Sequence, residues 1–148
     1  MRDKAKAIVV FALMAFVSNF IWESWHASYL YESHSFTLSF WPLMAYVASV
    51  DTLLLLGIFF GGALIWKNFW WFRNSNRRDV AVQRLYIVIV GIIIAAVIEY
   101  KAVYIFHQWT YSNLMPTIFG LGVSPLAQLA LTGLLSMSIA QQTLRTIK

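Results

Sequence analysis

The sequence has no cysteine and very little charge. Its 148 residues include 0 Cys, and only 11% are Asp, Glu, Lys or Arg. Without cysteine the chain can form neither a disulfide framework nor a thiolate metal site. In a soluble domain about a quarter of all residues are charged, so this composition argues against a soluble globular protein.

The chain instead contains long hydrophobic stretches. Hydrophobic residues make up 60% of it, against about 45–50% in soluble domains. They form four stretches near the ~20 residues that a membrane-spanning helix needs, at residues 7–25, 40–66, 85–106 and 116–140. The sequence therefore predicts one all-α domain over residues 1–148, an integral membrane bundle of four transmembrane helices.

The basic residues support four crossings. Ten of the eleven Lys and Arg would lie on one side of the membrane: Arg2, Lys4, Lys6, Lys67, Arg73, Arg77, Arg78, Arg84, Arg145 and Lys148. Since basic loops stay in the cytoplasm, both termini are predicted to be cytoplasmic. The net charge of +5 is thereby explained by topology, and nucleic-acid binding is not expected. The first stretch has the basic flank of a signal peptide but no clear cleavage site, so it is expected to remain as a span.

Aromatic residues are expected to form belts at both membrane interfaces, where amphipathic rings are most stable. The predicted inner belt contains Trp66, Trp70 and Trp71. The predicted outer belt contains Trp22, Trp25, Tyr29, Tyr31, Trp41 and Trp109.

Three acidic residues fall inside the apolar stretches, where a charged side chain costs roughly 2.5–3.5 kcal/mol. They are Glu23, Asp51 and Glu99, and we take them as candidate catalytic residues. Asp51 lies closest to the middle of the membrane, and it is expected to be either protonated and neutral or paired with Lys101. Lys101 could instead pair with Glu23. The alternative to a functional role is a packing role, as an interhelical salt bridge or a hydrogen-bonded polar cluster.

Further polar and aromatic residues map to the same outer half of the predicted bundle. Asn19, Glu23 and His26 are spaced four and three apart, which places them on one face of a helix. Together with the acids, these residues predict a pocket that binds a hydrophobic molecule. The candidate binding residues are Asn19, Trp22, His26, Tyr100, His107, Trp109, Tyr111 and Gln128.

No metal or cofactor is expected. Glu23 and His26 form a Glu-x-x-His pair, but a di-iron bundle needs a second copy and two more carboxylates, and the chain has no second copy. A Gly-rich phosphate loop, a nucleophile motif and a His pair at ligand spacing are also missing from the sequence.

Two local patterns concern helix geometry. Pro125 cannot donate to a helix ladder, so a kink or break near Leu121 is predicted in the fourth span. Gly57 and Gly61 form a small-xxx-small pattern that favours close contact between membrane helices.

Several motifs resemble those of a family of small bacterial four-helix membrane proteins. The motifs are Asn19-x-x-Trp22-Glu23, Trp109-x-Tyr111-x-x-x-Met115-Pro116 and Gly122-x-Ser124-Pro125-x-x-Gln128. The resemblance implies a multi-pass protein of the bacterial inner membrane and implies no particular reaction. A shorter resemblance, to membrane-bound terpene cyclases and to the emopamil-binding sterol isomerase group, implies a carboxylic acid that protonates an isoprenoid.

Three functions are compatible with these patterns. The first is a pocket that binds a lipid or isoprenoid and could transform it by acid catalysis. The second is a small proton- or cation-coupled transporter that acts as an oligomer, in which Asp51 and Glu99 relay charge. The third is a non-catalytic partner subunit whose polar residues specify packing. Expected partners are membrane lipids, a hydrophobic small molecule, and either further copies of the chain or another membrane subunit.

Overall fold

The chain folds into an all-α bundle of four helices, each long and apolar enough to span a membrane. The computed structural model describes residues 2–32, 39–73 and 76–145. The helices are α1 (Arg2–Leu30), α2 (Phe40–Ile65), α3 (Arg77–Tyr100) and α4 (Val123–Arg145). A 3₁₀ turn (Trp71–Arg73) follows α2, a π-helical turn (Lys101–Ile105) extends α3, and a hairpin of β1 (Thr117–Ile118) and β2 (Leu121–Gly122) precedes α4.

The outer surface of the bundle is apolar, as a lipid environment requires. Leu53 is 68% exposed and Leu64 is 79% exposed. The polar side chains Asn19, Glu99 and Ser136 are, in contrast, almost completely buried. This distribution is typical of a multi-pass membrane protein, in which buried polar groups find partners between helices.

Two prolines begin helices. Pro42 and Pro125 each lie in the first turn of a helix, where the missing N–H would have no intrahelical partner. The predicted kink or break near Leu121 is found as a break, because Leu121 lies in the hairpin and not in a helix. The fourth helix starts at Val123 rather than near residue 116, because the hairpin occupies the intervening residues. Phe119 and Gly120 both have positive φ, 52° and 79°, as a tight two-residue hairpin turn requires.

The half of the bundle near Lys67, Arg73, Arg77 and Arg78, here called the basic end, contains a tight aromatic core. Trp71 is 2% exposed, stacks on Trp66 with ring centroids 4.9 Å apart, and donates its Nε1–H to the Phe59 carbonyl at 3.1 Å. The prediction that Trp71 belongs to an interfacial belt is therefore wrong. The loop between α2 and α3 instead turns inward, because the side-chain amides of Gln83 and Gln141 bind the carbonyls of Trp71 and Phe72.

Of the ten basic residues used to predict the topology, Lys148 lies outside the described residues. Lys6 precedes Phe11 on α1, and the Phe11 ring packs 5.0 Å from that of Phe59 near the basic end. The basic residues of α1 and of the α2–α3 loop thus lie at the same end. The cytoplasmic location of that end stays a prediction.

Close helix contact occurs at a different glycine from the predicted pair. A Cβ at Gly57 would have nothing within 4 Å, and one at Gly61 would meet only the Tyr86 hydroxyl, at 2.8 Å. On α3, in contrast, a Cβ at Gly91 would lie 3.0 Å from the backbone nitrogen of Ala130 on α4.

We expect Gly91→Leu to destabilise the protein by roughly 2 kcal/mol, since overpacking pushes two helix backbones apart. Thermal unfolding in detergent would measure the loss. Gly57→Leu is the matched control and should leave the unfolding temperature unchanged. Equal unfolding temperatures for the two variants would contradict the close contact between α3 and α4.

Candidate functional site

The three acids of the predicted spans come from three different helices and face one cavity. The cavity has a volume of about 160 Å³. It lies in the half of the bundle remote from the basic end, here called the far end. Asp51 is eleven residues beyond Phe40, the first residue of α2, or about 16 Å along the helix at 1.5 Å per residue. That depth is close to the middle of a ~30 Å hydrocarbon core.

Gln128 of α4 connects two of the acids. Its Nε2 donates to Glu23 Oε1 at 2.7 Å and to Asp51 Oδ2 at 2.8 Å, and it lies 3.1 Å from Asn19 Oδ1. The Asn19 amide nitrogen in turn donates to the Ala15 carbonyl at 2.9 Å. Residues of α1, α2 and α4 thus meet at one amide group, which holds the two carboxyl groups close together.

Glu99 of α3 occupies the other side of the cavity, and one of its oxygens is an acceptor for three donors. Oε1 accepts from Tyr31 OH at 3.2 Å, from Trp109 Nε1 at 3.2 Å and from Tyr111 OH at 2.6 Å. We call Tyr31, Trp109 and Tyr111 the aromatic lid. The lid covers the cavity at the far end, and Glu99 is 2% exposed beneath it.

The lid is also held by backbone contacts. Tyr31 and Tyr111 form an antiparallel β-bridge, with Ser112 N donating to the Leu30 carbonyl at 3.0 Å. The π-helical turn ends α3 with a hydrogen bond from Phe106 N to Lys101 O, and His107 follows with φ of 48°. Such turns often mark functional sites in helices, and here the chain folds back over Glu99.

The tyrosines of the lid are neutral hydrogen-bond donors. Burial, together with the nearby Glu99 carboxyl, raises the pKa of the Tyr31 phenol above its ordinary value. Burial and the hydrogen bond to Glu99 likewise raise the pKa of Tyr111. Both hydroxyls therefore keep their protons at physiological pH.

His26 completes the polar lining. Its side chain is buried, its Nδ1 lies 3.9 Å from Glu23 Oε2, and its ring lies 4.5 Å from the Tyr31 ring. The predicted face of Asn19, Glu23 and His26 on α1 is therefore directed into the bundle.

The alternative of an ion pair to Lys101 is wrong for both acids. Lys101 is exposed, and Glu23 and Asp51 accept hydrogen bonds from Gln128 instead. In the described part of the chain no Lys or Arg lines the cavity. Nor does any group of three or more His, Cys, Asp or Glu side chains there have the arrangement of a metal site.

Three predicted binding residues lie away from the cavity. Tyr100 is 54% exposed and packs on Tyr104, and His107 is exposed at the end of the π-helical turn. Trp22 lines a separate groove between α1 and α4. Trp22 and Tyr100 each neighbour a cavity residue but lie on a different helix face, because neighbouring positions on a helix diverge by about 100°. His107 lies in the segment that follows the π-helical turn, outside any helix.

The sequence interpretation did not assign Tyr31 to the site, nor the apolar wall formed by Met44, Val47, Ala95 and Ile98. Met44, Val47 and Asp51 are spaced three and four apart, the interval of one helix face. That spacing, applied outward from Asp51, could have identified the α2 wall. Tyr31 follows the end of α1, where helix periodicity gives no signal.

No protein-family model matches the chain, and comparisons with curated proteins and with solved structures found no match. The resemblance to small bacterial membrane proteins therefore stays a prediction. The function is inferred from the geometry of the site.

Proposed function

We propose that this membrane protein binds a hydrophobic molecule, of the isoprenoid or lipid class, in the cavity between Glu23, Asp51 and Glu99. The observation that carries the proposal is the convergence of three carboxyl groups from three helices on one cavity. Polar groups at membrane depth are costly and usually have a task. An apolar pocket with a few convergent polar groups is the usual form of a small-molecule site.

The hydrogen-bond inventory implies that the acid pair carries a proton. A side-chain amide nitrogen has two hydrogens, but three acceptors lie within 3.1 Å of Gln128 Nε2. Two carboxylates so close together, with no cation among the described lining residues, would repel each other strongly. A proton held by Glu23 or Asp51 supplies the missing donor and removes one charge.

The acid pair is thus equipped to act as a general acid. In the proposed chemistry the pair transfers its proton to a carbon–carbon double bond or an epoxide of the ligand and becomes a carboxylate. The ligand then carries a positive charge, which the rings of Trp109 and Tyr31 stabilise. Loss of a proton from another position of the ligand returns the acid pair to its starting state, so the reaction is redox-neutral.

Glu99 has a different role in this proposal. Its Oε1 is engaged by the three donors of the aromatic lid, so it holds the lid in place while Glu23 and Asp51 face the ligand. The three acids of the sequence prediction thereby divide into a proton-donating pair and a positioning residue.

The proposal is tested by mass spectrometry of the small molecules that co-purify with the protein. We expect wild type to retain a specific isoprenoid or lipid, and Glu23→Gln combined with Asp51→Asn to lose most of it. Glu32→Gln is the matched control, because Glu32 is exposed at the far end and accepts a hydrogen bond from Thr110 at 3.1 Å.

Each result has a defined meaning. A specific ligand that is lost only in the double variant supports the pocket and identifies its chemical class. Identical and unspecific lipid profiles in all three proteins contradict the proposal. They would favour the partner-subunit function, for which the hydrogen bonds from Gln128 to residues of α1 and α2 are the specific supporting observation.

A further inference from the structure

The walls of the cavity differ in how tightly they are closed. On the side of the basic end, apolar side chains fill the bundle: Phe11, Leu55, Phe59, Trp71 and Ile87 are all nearly inaccessible. At the far end the aromatic lid is tied to Glu99 and to the end of α1. Among the described residues, therefore, neither end offers a molecule an open path to the acids.

The sides of the bundle close unevenly. Helix α1 packs extensively on α2 and on α4, and α3 packs extensively on α4, whereas α2 and α3 touch little. In the basic half, Tyr86 of α3 donates to the Ile58 carbonyl of α2 at 3.0 Å and packs on Trp66. In the far half the cavity separates these two helices.

The described residues at this separation are half-exposed and apolar. Leu43 of α2 is 42% exposed and Ile98 of α3 is 40% exposed, and both line the cavity. The neighbouring outer faces of the two helices are apolar as well, with Leu53 68% and Val97 51% exposed. The cavity therefore meets the apolar surface of the bundle, where lipid tails lie, through a window bordered by Leu43 and Ile98.

The size and charge of the cavity restrict what can occupy it. Its volume of about 160 Å³ is close to that of an engineered cavity of about 150 Å³ that holds benzene. A whole isoprenoid or lipid is much larger, so only one end fits. The described lining has three carboxyl groups and no Lys or Arg, and burying a phosphate or carboxylate beside them would be costly.

We propose that the ligand is an elongated membrane lipid with an uncharged end group, which enters end-first from the bilayer through the window between α2 and α3. The end group reaches Glu23 and Asp51, and the apolar tail remains in the window beside Leu43 and Ile98. This inference rests on the proposed function and adds the access route and the type of end group.

The absence of cysteine from the sequence permits a direct test. Ile98→Cys and Ile92→Cys introduce single thiols on the same helix, at positions 40% and 41% exposed, of which only Ile98 lines the cavity. Each variant is measured before and after reaction with a bulky lipid-soluble maleimide. The unlabelled variants are the control for the effect of each substitution itself.

The probes are farnesol and farnesyl phosphate, which share the tail and differ in the end group. We expect farnesol to bind wild type, both unlabelled variants and labelled Ile92→Cys. Binding is measured by native mass spectrometry and by the shift of the unfolding temperature. Labelled Ile98→Cys should bind at least about tenfold more weakly. Farnesyl phosphate should bind wild type at least about tenfold more weakly than farnesol.

The outcomes separate the two proposals. Normal farnesol binding by labelled Ile98→Cys overturns the window, and equal binding of the phosphate overturns the uncharged end group. Failure of farnesol to bind wild type overturns this inference as a whole. In each of these cases the proposed function still stands if Glu23→Gln with Asp51→Asn loses a co-purifying molecule that wild type retains.

Discussion

Replacing Gln128 with leucine is expected to lower the free energy of unfolding by about 3 kcal/mol. Gln128 is 4% exposed, and its Nε2 donates to Glu23 and Asp51 and lies 3.1 Å from Asn19 Oδ1. Leucine has a similar size but no N–H, so the carboxyl groups of Glu23 and Asp51 would lose this donor. A buried acceptor that loses its donor costs about 1–3 kcal/mol.

The loss would be measured by chemical or thermal unfolding in detergent. Gln108→Leu is the matched control, because Gln108 is exposed in the loop after α3, and it should change stability little. Adding Glu23→Met and Asp51→Leu to Gln128→Leu should recover much of the lost stability, since the two carboxyl groups that lost their donor are then replaced by apolar groups. A wild-type unfolding temperature for Gln128→Leu would show that the network contributes nothing to packing.

The four-helix membrane architecture could be predicted from the sequence because it depends on one strong signal, the length of the apolar runs. Apolar runs of about 20 residues have few alternatives to a membrane span, and all four predicted spans overlap observed helices. The start of α4 was wrong because residues 116–122 are apolar enough to continue a helix yet form a hairpin. The turn uses Phe119 and Gly120, without the Asn-Gly or Asp-Gly pair that usually identifies such a turn.

The composition of the site was predicted only in part, for a similar reason. An acidic residue inside an apolar span can be recognised from sequence because its burial in the membrane costs free energy. The three acids recognised in this way, Glu23, Asp51 and Glu99, do meet at one cavity. The partner of each acid depends on how the helices rotate and pack, which sequence spacing does not determine. From the sequence alone, Lys101 could therefore be proposed as the partner of Glu23 or Asp51. In the structure Lys101 is exposed, and Gln128 donates to both acids.

Trp71 illustrates the same limit at the basic end. A tryptophan beside an apolar run is usually an interfacial residue, and nothing local in the sequence distinguishes it from a buried one. It is buried because Gln83 of α3 binds its carbonyl and Phe59 of α2 accepts its indole N–H. Both partners are distant in sequence, and only the packing of the helices brings them together.

Replacing Glu99 with leucine is expected to release the aromatic lid. The change removes the acceptor shared by Tyr31, Trp109 and Tyr111, and the loss of a hydrogen-bond partner costs a buried polar group about 1–3 kcal/mol. The β-bridge between Tyr31 and Tyr111 should then open more often. Hydrogen–deuterium exchange at the amides of Glu32 and Ser112, which bind Thr110 O and Leu30 O, should accelerate by at least about tenfold, since 1.4 kcal/mol corresponds to a factor of 10.

The pattern of exchange distinguishes lid release from general unfolding. Backbone amides of the core at the basic end, such as that of Trp71, should keep their wild-type protection in Glu99→Leu. Glu99→Gln retains an acceptor oxygen and should give an intermediate effect, whereas Tyr104→Phe should leave the lid protected, because the Tyr104 hydroxyl binds Gly120 O outside the lid at 2.9 Å. Unchanged exchange at Glu32 and Ser112 in Glu99→Leu would mean that the backbone bridge alone holds the lid, and Glu99 would then lose its positioning role.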